Sequence, residues 1–104
     1  MKKITLLFLH LFLLTNIFTQ TTYTVNAGSY YYNPTNLTIE VGDSVVWIND
    51  GGYHDVNGDI NSITNEPFNN PETFDSPATS TVGAVIYAHK FTMPGTYNYD
   101  CSVY

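Results

Sequence analysis

The sequence holds a single cysteine, Cys101, among its 104 residues. An internal disulfide is therefore excluded, although a domain of this size is close to the lower limit of what one hydrophobic core can stabilise unaided. An odd cysteine in a secreted chain indicates an intermolecular disulfide, a reactive thiol or a metal ligand. The role of this thiol is the main question that the sequence raises.

Positive charge is also scarce, with three Lys and Arg residues against nine Asp and Glu residues. Two of the three, Lys2 and Lys3, lie at the N-terminus, so the rest of the chain has a net charge of 1 − 9 = −8. Nucleic acid is excluded as a partner, because a phosphate backbone is bound by neutralising it with Lys and Arg. Anionic membranes are disfavoured for the same reason. The acidity serves either solubility or steering towards a positively charged partner protein.

No apolar run is long enough to span a bilayer, which requires about 20 residues. The apolar segment Ile4–Leu14 directly follows the two N-terminal lysines, a pattern typical of an export leader. We predict a signal peptide over residues 1–21, cleaved near Thr19–Thr21, and a single domain over residues 22–104. The protein would then be periplasmic or secreted, with no membrane contact after cleavage. An uncleaved anchor is the alternative.

In residues 22–104, apolar residues do not recur with the 3.6-residue period of an α-helix. Aromatic and β-branched runs alternate there with Gly, Pro, Asn and Thr, which predicts an all-β domain. The predicted strands are Tyr30–Tyr32, Leu37–Val41, Ser44–Asn49, Val82–Met93 and Thr96–Cys101. Ser44–Asn49 has apolar residues at both odd and even positions. We therefore expect a central strand that is covered on both faces, as in a sandwich. We expect an irregular segment over residues 50–80 and a hairpin of the last two strands around Pro94-Gly95.

Metal binding is one of the options that remain open for Cys101. A thiolate selects copper, zinc or iron–sulfur over magnesium or calcium, and its natural co-ligand is imidazole. Outside the predicted leader the histidines are His54 and His89, which precede the cysteine by 47 and 12 residues. His54 lies in the loop that leaves the central strand. A sandwich would bring His54 and Cys101 to one end if their strands belong to facing sheets.

Three stretches together carry a family resemblance: "NPTNLTIEVGDSVVWINDGGYHDV" (Asn33–Val56), "ETFDS" (Glu72–Ser76) and "YAHKFTMPGTYNYDC" (Tyr87–Cys101). In this order, with a His after the W-x-N strand and a Cys after G-T-Y-x-Y-x, the chain resembles the plastocyanin and azurin branch of the cupredoxins, the blue copper proteins. The resemblance implies an antiparallel Greek-key β-sandwich that holds one type-1 copper. It assigns the first imidazole ligand to His54 and the thiolate ligand to Cys101.

The chain departs from the family pattern after Cys101. The pattern continues with a second His, a Met and a final strand, whereas this sequence ends at Tyr104. We therefore expect a fragment that lacks the last strand and holds half of the copper site; a natural domain that has discarded copper is the alternative. We expect Met93 to lie in a turn away from the site and His89 to be a packing residue. Asp55 stands where many relatives have Asn, so a tie between the His loop and the Cys strand depends on Asp accepting a hydrogen bond.

The resemblance implies a small exported carrier of single electrons, which cycles between Cu(I) and Cu(II) and is not an enzyme. Its partners would be redox proteins with a cationic docking surface. Two alternatives remain open. One is a copper-free structural or adhesion domain, in which Cys101 is buried or linked to another chain. The other is the type-1 copper domain of a larger multicopper oxidase or reductase, although the sequence has no His-x-His motif and no second domain.

Overall fold

Alternation of β-branched and aromatic residues with turn residues produces strands along the chain. The computed structural model describes residues 2–7 and 19–103. The strands are β1 (Lys2–Leu7), β2 (Thr22–Gly28), β3 (Tyr31–Asn33), β4 (Asn36–Glu40), β5 (Ser44–Asn49), β6 (Val85–Lys90) and β7 (Gly95–Tyr99). These two ranges contain no helix, and hence none that could cross a membrane. The predicted all-β class is confirmed.

The first sheet has four strands in the order β3-β2-β5-β6. β5 lies inside it, parallel to β2 and antiparallel to β6. Val45, Trp47 and Asn49 are buried on its inner face, while the alternate positions are half-buried. The prediction that this strand lies inside the sheet is confirmed. The expectation that both of its faces are buried is met on the inner face only, because the outer face is half-buried.

The second sheet has three strands in the order β4-β1-β7. β1 is parallel to β4 and antiparallel to β7, and its side chains Ile4 and Leu6 are buried in the core. These residues belong to the segment that is predicted to be an export leader. The leader stays a prediction, and residues 8–18 of it lie outside the described part of the chain.

The two sheets pack face to face through aromatic side chains. Trp47 of the first sheet meets Tyr99 of the second edge-on, with ring centroids 5.5 Å apart. Phe74, which lies between β5 and β6, has its ring centroid 6.1 Å from that of Trp47 and 6.0 Å from that of Tyr99. Such ring pairs contribute about 0.5–1.5 kcal/mol each beyond the buried area. The predicted sandwich is confirmed, and two residues of the irregular segment, Val56 and Phe74, belong to its core.

The predicted hairpin of β6 and β7 is wrong. β6 pairs with β5 in the first sheet and β7 pairs with β1 in the second, so the chain crosses between sheets after Lys90. A Pro-Gly turn signal indicates a change of direction, but it does not determine which strand lies alongside. At the crossing, the backbone N–H groups of Thr92 and Met93 donate to the carboxylate of Glu72 at 2.7 and 2.9 Å.

Residues 50–84 form no strand, in agreement with the irregular segment predicted over 50–80. Isolated bridges hold this segment: His54 pairs with Thr79, and Asn57 pairs with both Asp75 and Asp100. Asp100 directly follows β7, so the bridges attach the segment to the end of the sandwich at which β7 ends.

Candidate metal centre

A buried amide organises the loop that follows β5. The Nδ2 of Asn49, which is fully buried, donates to the carbonyl oxygens of Gly52, Thr79 and Thr81 at 2.9, 3.2 and 3.3 Å. Its Oδ1 accepts a hydrogen bond from the N–H of Gly51 at 3.0 Å. One side chain thus satisfies four backbone groups and folds the loop back over the end of the sheet.

His54 lies in this loop, and its side chain is only 2% exposed. Its backbone N–H and carbonyl pair with Thr79 at 3.1 and 3.0 Å. The ring Nε2 lies 2.7 Å from the carbonyl oxygen of Gly51. Because a carbonyl oxygen only accepts, the proton of the neutral ring is on Nε2 and Nδ1 keeps its lone pair. Nδ1 is the nitrogen that faces Cys101, at 3.8 Å from Sγ.

A glycine leaves room for this ring. Gly52 has a φ of +92°, and a Cβ added there would lie 2.8 Å from Nε2 of His54. Any other residue would push the ring aside and would also be strained in the left-handed region. Glycine at position 52 therefore has a structural reason.

Cys101 is held on both sides by hydrogen bonds to the histidine loop. Before it, Asp100 and Asn57 exchange two backbone hydrogen bonds of 2.9 Å each. After it, the carboxylate of Asp55 accepts hydrogen bonds from the N–H of Ser102 at 2.7 Å and from the Ser102 hydroxyl. Asp55 thus ties the His loop to the Cys segment as an acceptor.

Two buried tyrosines lie on the inner side of the pair. The Oη of Tyr32 donates to the carbonyl oxygen of Asp55 at 2.7 Å. Burial raises the pKa of Tyr32, and the negative charges of Cys101 and Tyr99, when ionised, raise it further. Burial also raises the pKa of Tyr99 to about 12. Both phenols are therefore neutral near pH 7.

A cleft of about 220 Å³ opens beside the His54–Cys101 pair. Its other lining residues are Lys2, Ala27, Gly28, Tyr30, Tyr31, Tyr32 and Asp100. At its rim Tyr30 is 90% exposed, and Tyr31 is also exposed. Tyr53, which is exposed as well, lines an adjoining cleft together with Tyr30 and His54. Exposed aromatic side chains next to a concave site are typical of a surface that binds a ligand or partner.

His89 and Met93 lie away from this pair, as expected. His89 is opposite the start of β5, whereas His54 follows the end of β5. Its Nε2 is 3.1 Å from Oε2 of Glu72. Met93 precedes β7 and Cys101 follows it, so the length of that strand separates the two sulfur atoms.

The donor types and their spacing fit a soft metal ion. A zinc-sized ion that lies about 2.0–2.1 Å from nitrogen and about 2.3 Å from sulfur separates these donors by about 3.6–3.8 Å at tetrahedral to trigonal angles. The separation of Nδ1 and Sγ is 3.8 Å. Imidazole and thiolate also suit copper. Within residues 2–7 and 19–103 no third His, Cys, Asp or Glu completes a metal-binding group, so His54 and Cys101 remain a pair of candidate donors.

The sequence predicts the approach of His54 to Cys101, but not the contributions of Asn49 and Ser102. Asn49 had a signal, because it is the polar residue on the buried parity of β5, after Val45 and Trp47. A buried polar side chain at the end of a strand must find partners, and here they are loop carbonyls. Ser102 had no such signal, because its role depends on a contact with a residue 47 positions earlier.

Comparison with known proteins agrees with this arrangement. The family model described as copper binding proteins of the plastocyanin/azurin family matches residues 19–103. The plastocyanin of Scenedesmus fuscus is 27% identical over 81 residues, which cover 73% of this chain and 76% of that protein. No solved structure matches significantly. Since the family match covers most of the chain, the protein belongs to the plastocyanin/azurin family of copper binding proteins.

Proposed function

We propose that this protein is an exported carrier of single electrons, not an enzyme, and that it uses one type-1 copper in the Cu(I) and Cu(II) states. The observation that carries the proposal is the 3.8 Å approach of Nδ1 of His54 to Sγ of Cys101. The chain's membership of a copper-binding family supports it.

Copper bound between these donors would supply a one-electron couple whose two oxidation states tolerate one geometry. His54 would ligate through Nδ1, while the Gly51 carbonyl holds the Nε2–H and fixes the ring. Cys101 would ligate as the thiolate and lose its proton on metal binding. The hydrogen bonds of Asn49 and Asp55 hold both donors in place, so little rearrangement would accompany electron transfer.

Two donors are fewer than a type-1 site uses, which is two imidazoles, one thiolate and a weak axial thioether. In this proposal the remaining His and Met follow Cys101 in a longer protein, as the family resemblance implies.

The proposed partner is a redox protein with a cationic docking surface. Without the predicted leader the chain has a net charge of 1 − 9 = −8. At the aromatic rim, the hydroxyl of Tyr31 donates to the carboxylate of Asp50 at 2.6 Å, which puts negative charge beside the cleft. Opposite charges speed the encounter of two proteins, and salt weakens the effect. The association rate with a cationic partner should therefore fall as ionic strength rises.

The direct test adds Cu(II) to a chain that is extended after Tyr104 by a segment with a His and a Met at family-like spacing. We expect one copper per chain and an intense visible thiolate-to-copper band. Cys101→Ser should abolish the band and His54→Gln should weaken or abolish it, whereas the control His89→Gln should leave both band and stoichiometry unchanged. A colourless extended protein without stoichiometric copper would overturn the proposal.

The small number of donors favours a second candidate, a copper-free structural or adhesion domain in which Cys101 links to another chain. Within the described ranges no group of three or more His, Cys, Asp or Glu side chains could hold a metal ion. Mass spectrometry of native protein under non-reducing conditions separates the two candidates. A disulfide-linked dimer without copper supports the second, and a copper-loaded monomer supports the first.

Export is a separate part of the proposal, based on two lysines followed by a short apolar segment. Sequencing the N-terminus of protein recovered from the periplasm or medium checks it. A start near Thr22 supports the leader, and protein that stays in the cytoplasm with an intact Met1 contradicts it.

A further inference from the structure

The indole of Trp47 is buried without a hydrogen-bond partner for its N–H. Trp47 is 0% exposed and is the only tryptophan in the sequence. Its Nε1 makes no hydrogen bond of ordinary geometry within residues 2–7 and 19–103, although the hydroxyl of Tyr99 is close enough to interact with it. A buried polar group without a partner is rare in native proteins, and one explanation for it is a redox role.

Trp47 belongs to a series of contacting aromatic rings that crosses the core. We call these four residues the aromatic series: in order, Tyr32, Tyr99, Trp47 and Tyr87. Successive ring centroids are 4.8, 5.5 and 6.0 Å apart, within the range of about 4.5–7 Å that is typical of interacting rings. Tyr32 lines the cleft beside the His54–Cys101 pair, whereas Tyr87 is half-buried on β6. Electrons pass readily between rings in contact, so the series links the cleft to the far side of the core.

Tyr87 has a base at its hydroxyl. Its Oη lies 3.3 Å from Nδ1 of His89, and Nε2 of His89 lies 3.1 Å from Oε2 of Glu72. Because a carboxylate only accepts, the proton of the neutral imidazole is on Nε2, and Nδ1 accepts from Tyr87. A base that a third group orients is the arrangement with which proteins take a proton from a hydroxyl. The hydroxyl of Tyr32, by contrast, donates to the carbonyl oxygen of Asp55, which is a much weaker base.

The proton acceptors determine where an oxidising equivalent comes to rest. A phenol that has lost an electron is strongly acidic, and it becomes a stable neutral radical only when a base takes its proton. Trp47 has no such base, so its radical cation keeps the proton and remains a strong oxidant that takes an electron from a neighbouring ring. Tyr87 has one in His89. An oxidising equivalent that reaches Trp47 should therefore move to Tyr87 and stay there.

We propose that the aromatic series is an internal electron relay, which carries one-electron oxidising equivalents from the cleft to Tyr87 and holds them there as a neutral tyrosyl radical. An oxygen-derived radical at the cleft takes one electron from the series and is itself reduced. Tyr87 supplies this electron, its O–H bond breaks, and the proton binds Nδ1 of His89. The carboxylate of Glu72 compensates the charge of the imidazolium. A soluble one-electron reductant of the ascorbate type then returns an electron to Tyr87, and the proton moves back.

The group that this relay protects is the thiol of Cys101. Cys101 lies two residues after Tyr99 and packs against the buried core. Oxidation of a cysteine to sulfinic or sulfonic acid is essentially irreversible, whereas one electron repairs a tyrosyl radical. Movement of the oxidising equivalent to Tyr87 therefore preserves the thiol. This role does not require bound copper, so it stands apart from the proposed electron-carrier function.

Flash photolysis of the full chain tests the relay directly. Red-edge ultraviolet light, which tyrosine does not absorb, photoionises Trp47 alone because the chain has no other tryptophan. In the parent, the absorption of the tryptophan radical should decay while that of a tyrosyl radical rises. In Tyr87→Phe, which lacks only the hydroxyl, the tryptophan radical should live at least about tenfold longer. Equal lifetimes in the two proteins would overturn the proposal.

Tyr97→Phe is the matched control. The hydroxyl of Tyr97 also donates to the carboxylate of Glu72, but its ring contacts Phe74 and Phe91, whose benzene rings are not oxidised under these conditions. The tryptophan radical should therefore decay in this variant as it does in the parent. A lifetime as long as that in Tyr87→Phe would overturn the assignment of the radical to Tyr87.

His89→Gln tests the proton transfer, because it removes the base and keeps a polar side chain. The tyrosyl radical should form at least about tenfold more slowly, since a general base contributes at least that much to such a step. In the parent, its formation should also be slower in D2O than in H2O, because the O–H bond of Tyr87 breaks. A rate that depends neither on His89 nor on the solvent isotope would overturn the transfer of the proton to His89.

The protective role has its own readout. After steady illumination with ascorbate present, peptide mapping by mass spectrometry gives the fraction of Cys101 that is oxidised to sulfinic and sulfonic acid. This fraction should be several-fold higher in Tyr87→Phe than in the parent, and Tyr97→Phe should match the parent. An equal fraction in Tyr87→Phe and the parent would overturn the protection of the thiol.

Discussion

The carboxylate of Asp55 accepts two hydrogen bonds from Ser102, one from the backbone N–H at 2.7 Å and one from the hydroxyl. Asp55 directly follows His54, and Ser102 directly follows Cys101. The two candidate metal donors are thus joined by their neighbours in sequence, in addition to their own 3.8 Å contact. This tie holds the loop of the first sheet against the end of the second.

We predict that Asp55→Ala lowers the free energy of unfolding by about 1–3 kcal/mol, because the part-buried hydrogen bonds from Ser102 to a charged acceptor are lost. Asp55→Asn keeps one acceptor oxygen for that N–H and should cost clearly less. Urea unfolding at neutral pH measures both. Equal losses of unfolding free energy in the two variants would show that a hydrogen-bond acceptor at position 55 does not stabilise the fold.

Substitutions at two glycines separate the effect of backbone strain from the effect of a clash with the imidazole of His54. Gly52 and Gly42 have similar φ values of +92° and +96°, but a Cβ at Gly42 would have no neighbour within 4 Å. Gly42→Ala should therefore lower the free energy of unfolding by about 1–2 kcal/mol through backbone strain alone. Gly52→Ala should cost about 1 kcal/mol more, since it also displaces the ring of His54 from its rotamer. Urea unfolding of both variants, with NMR shifts of the imidazole, tests this; indistinguishable losses and an unmoved ring would contradict it.

The buried amide of Asn49 should be among the most sensitive polar positions. We predict that Asn49→Ala lowers the free energy of unfolding by about 2–3 kcal/mol, because the Gly52 carbonyl loses its side-chain donor and the Gly51 N–H loses its acceptor. The carbonyls of Thr79 and Thr81 each lose one donor and keep only a backbone N–H. Asn26 is the matched control, since its Nδ2 donates to the exposed carboxylate of Asp50. Asn26→Ala should change the free energy by at most about 0.5 kcal/mol. Thermal and urea unfolding of the two variants would refute the prediction if the losses were similar.

The parts of the fold that follow from local pattern were predictable. Tyr97 and Tyr99, which occupy alternate positions of a predicted strand, are both buried. Trp47 is buried on a strand inside the sheet. The approach of His54 to Cys101 followed from the family resemblance, because 47 residues of separation leave no local signal.

The parts that depend on distant pairing were not predictable. An apolar leader and an aliphatic strand have the same composition, so nothing in Lys2–Leu7 indicates that it pairs with β4 and β7. The split of β6 and β7 between sheets is equally non-local. Phe74 is surrounded in sequence by polar and turn residues, and only the packing of Trp47 and Tyr99 against it places it in the core.

The carboxylate of Glu72 binds the segment between β6 and β7, where the chain crosses from one sheet to the other. Its Oε1 accepts hydrogen bonds from the N–H groups of Thr92 and Met93 at 2.7 and 2.9 Å and from the hydroxyl of Tyr97 at 3.1 Å. Its Oε2 lies 3.1 Å from Nε2 of His89. Burial by itself would raise the pKa of Glu72, but these hydrogen bonds outweigh it and hold the pKa below the ordinary value of 4.5.

The direction of this shift predicts how acid acts on the protein. A carboxyl group with a lowered pKa in the folded state stabilises the fold fully above its unfolded pKa, here 4.5. The contribution is lost as the pH falls from there through the folded pKa, because protons bind the unfolded chain first. We therefore predict that the free energy of unfolding of the parent falls more steeply below about pH 4.5 than that of Glu72→Gln, while the variant is less stable by about 1–3 kcal/mol at pH 7. Glu66→Gln, at an exposed position, is the control and should follow the parent at every pH. Parallel pH profiles for the parent and Glu72→Gln, measured by urea unfolding, would mean that the hydrogen bonds to Glu72 do not favour its ionised form.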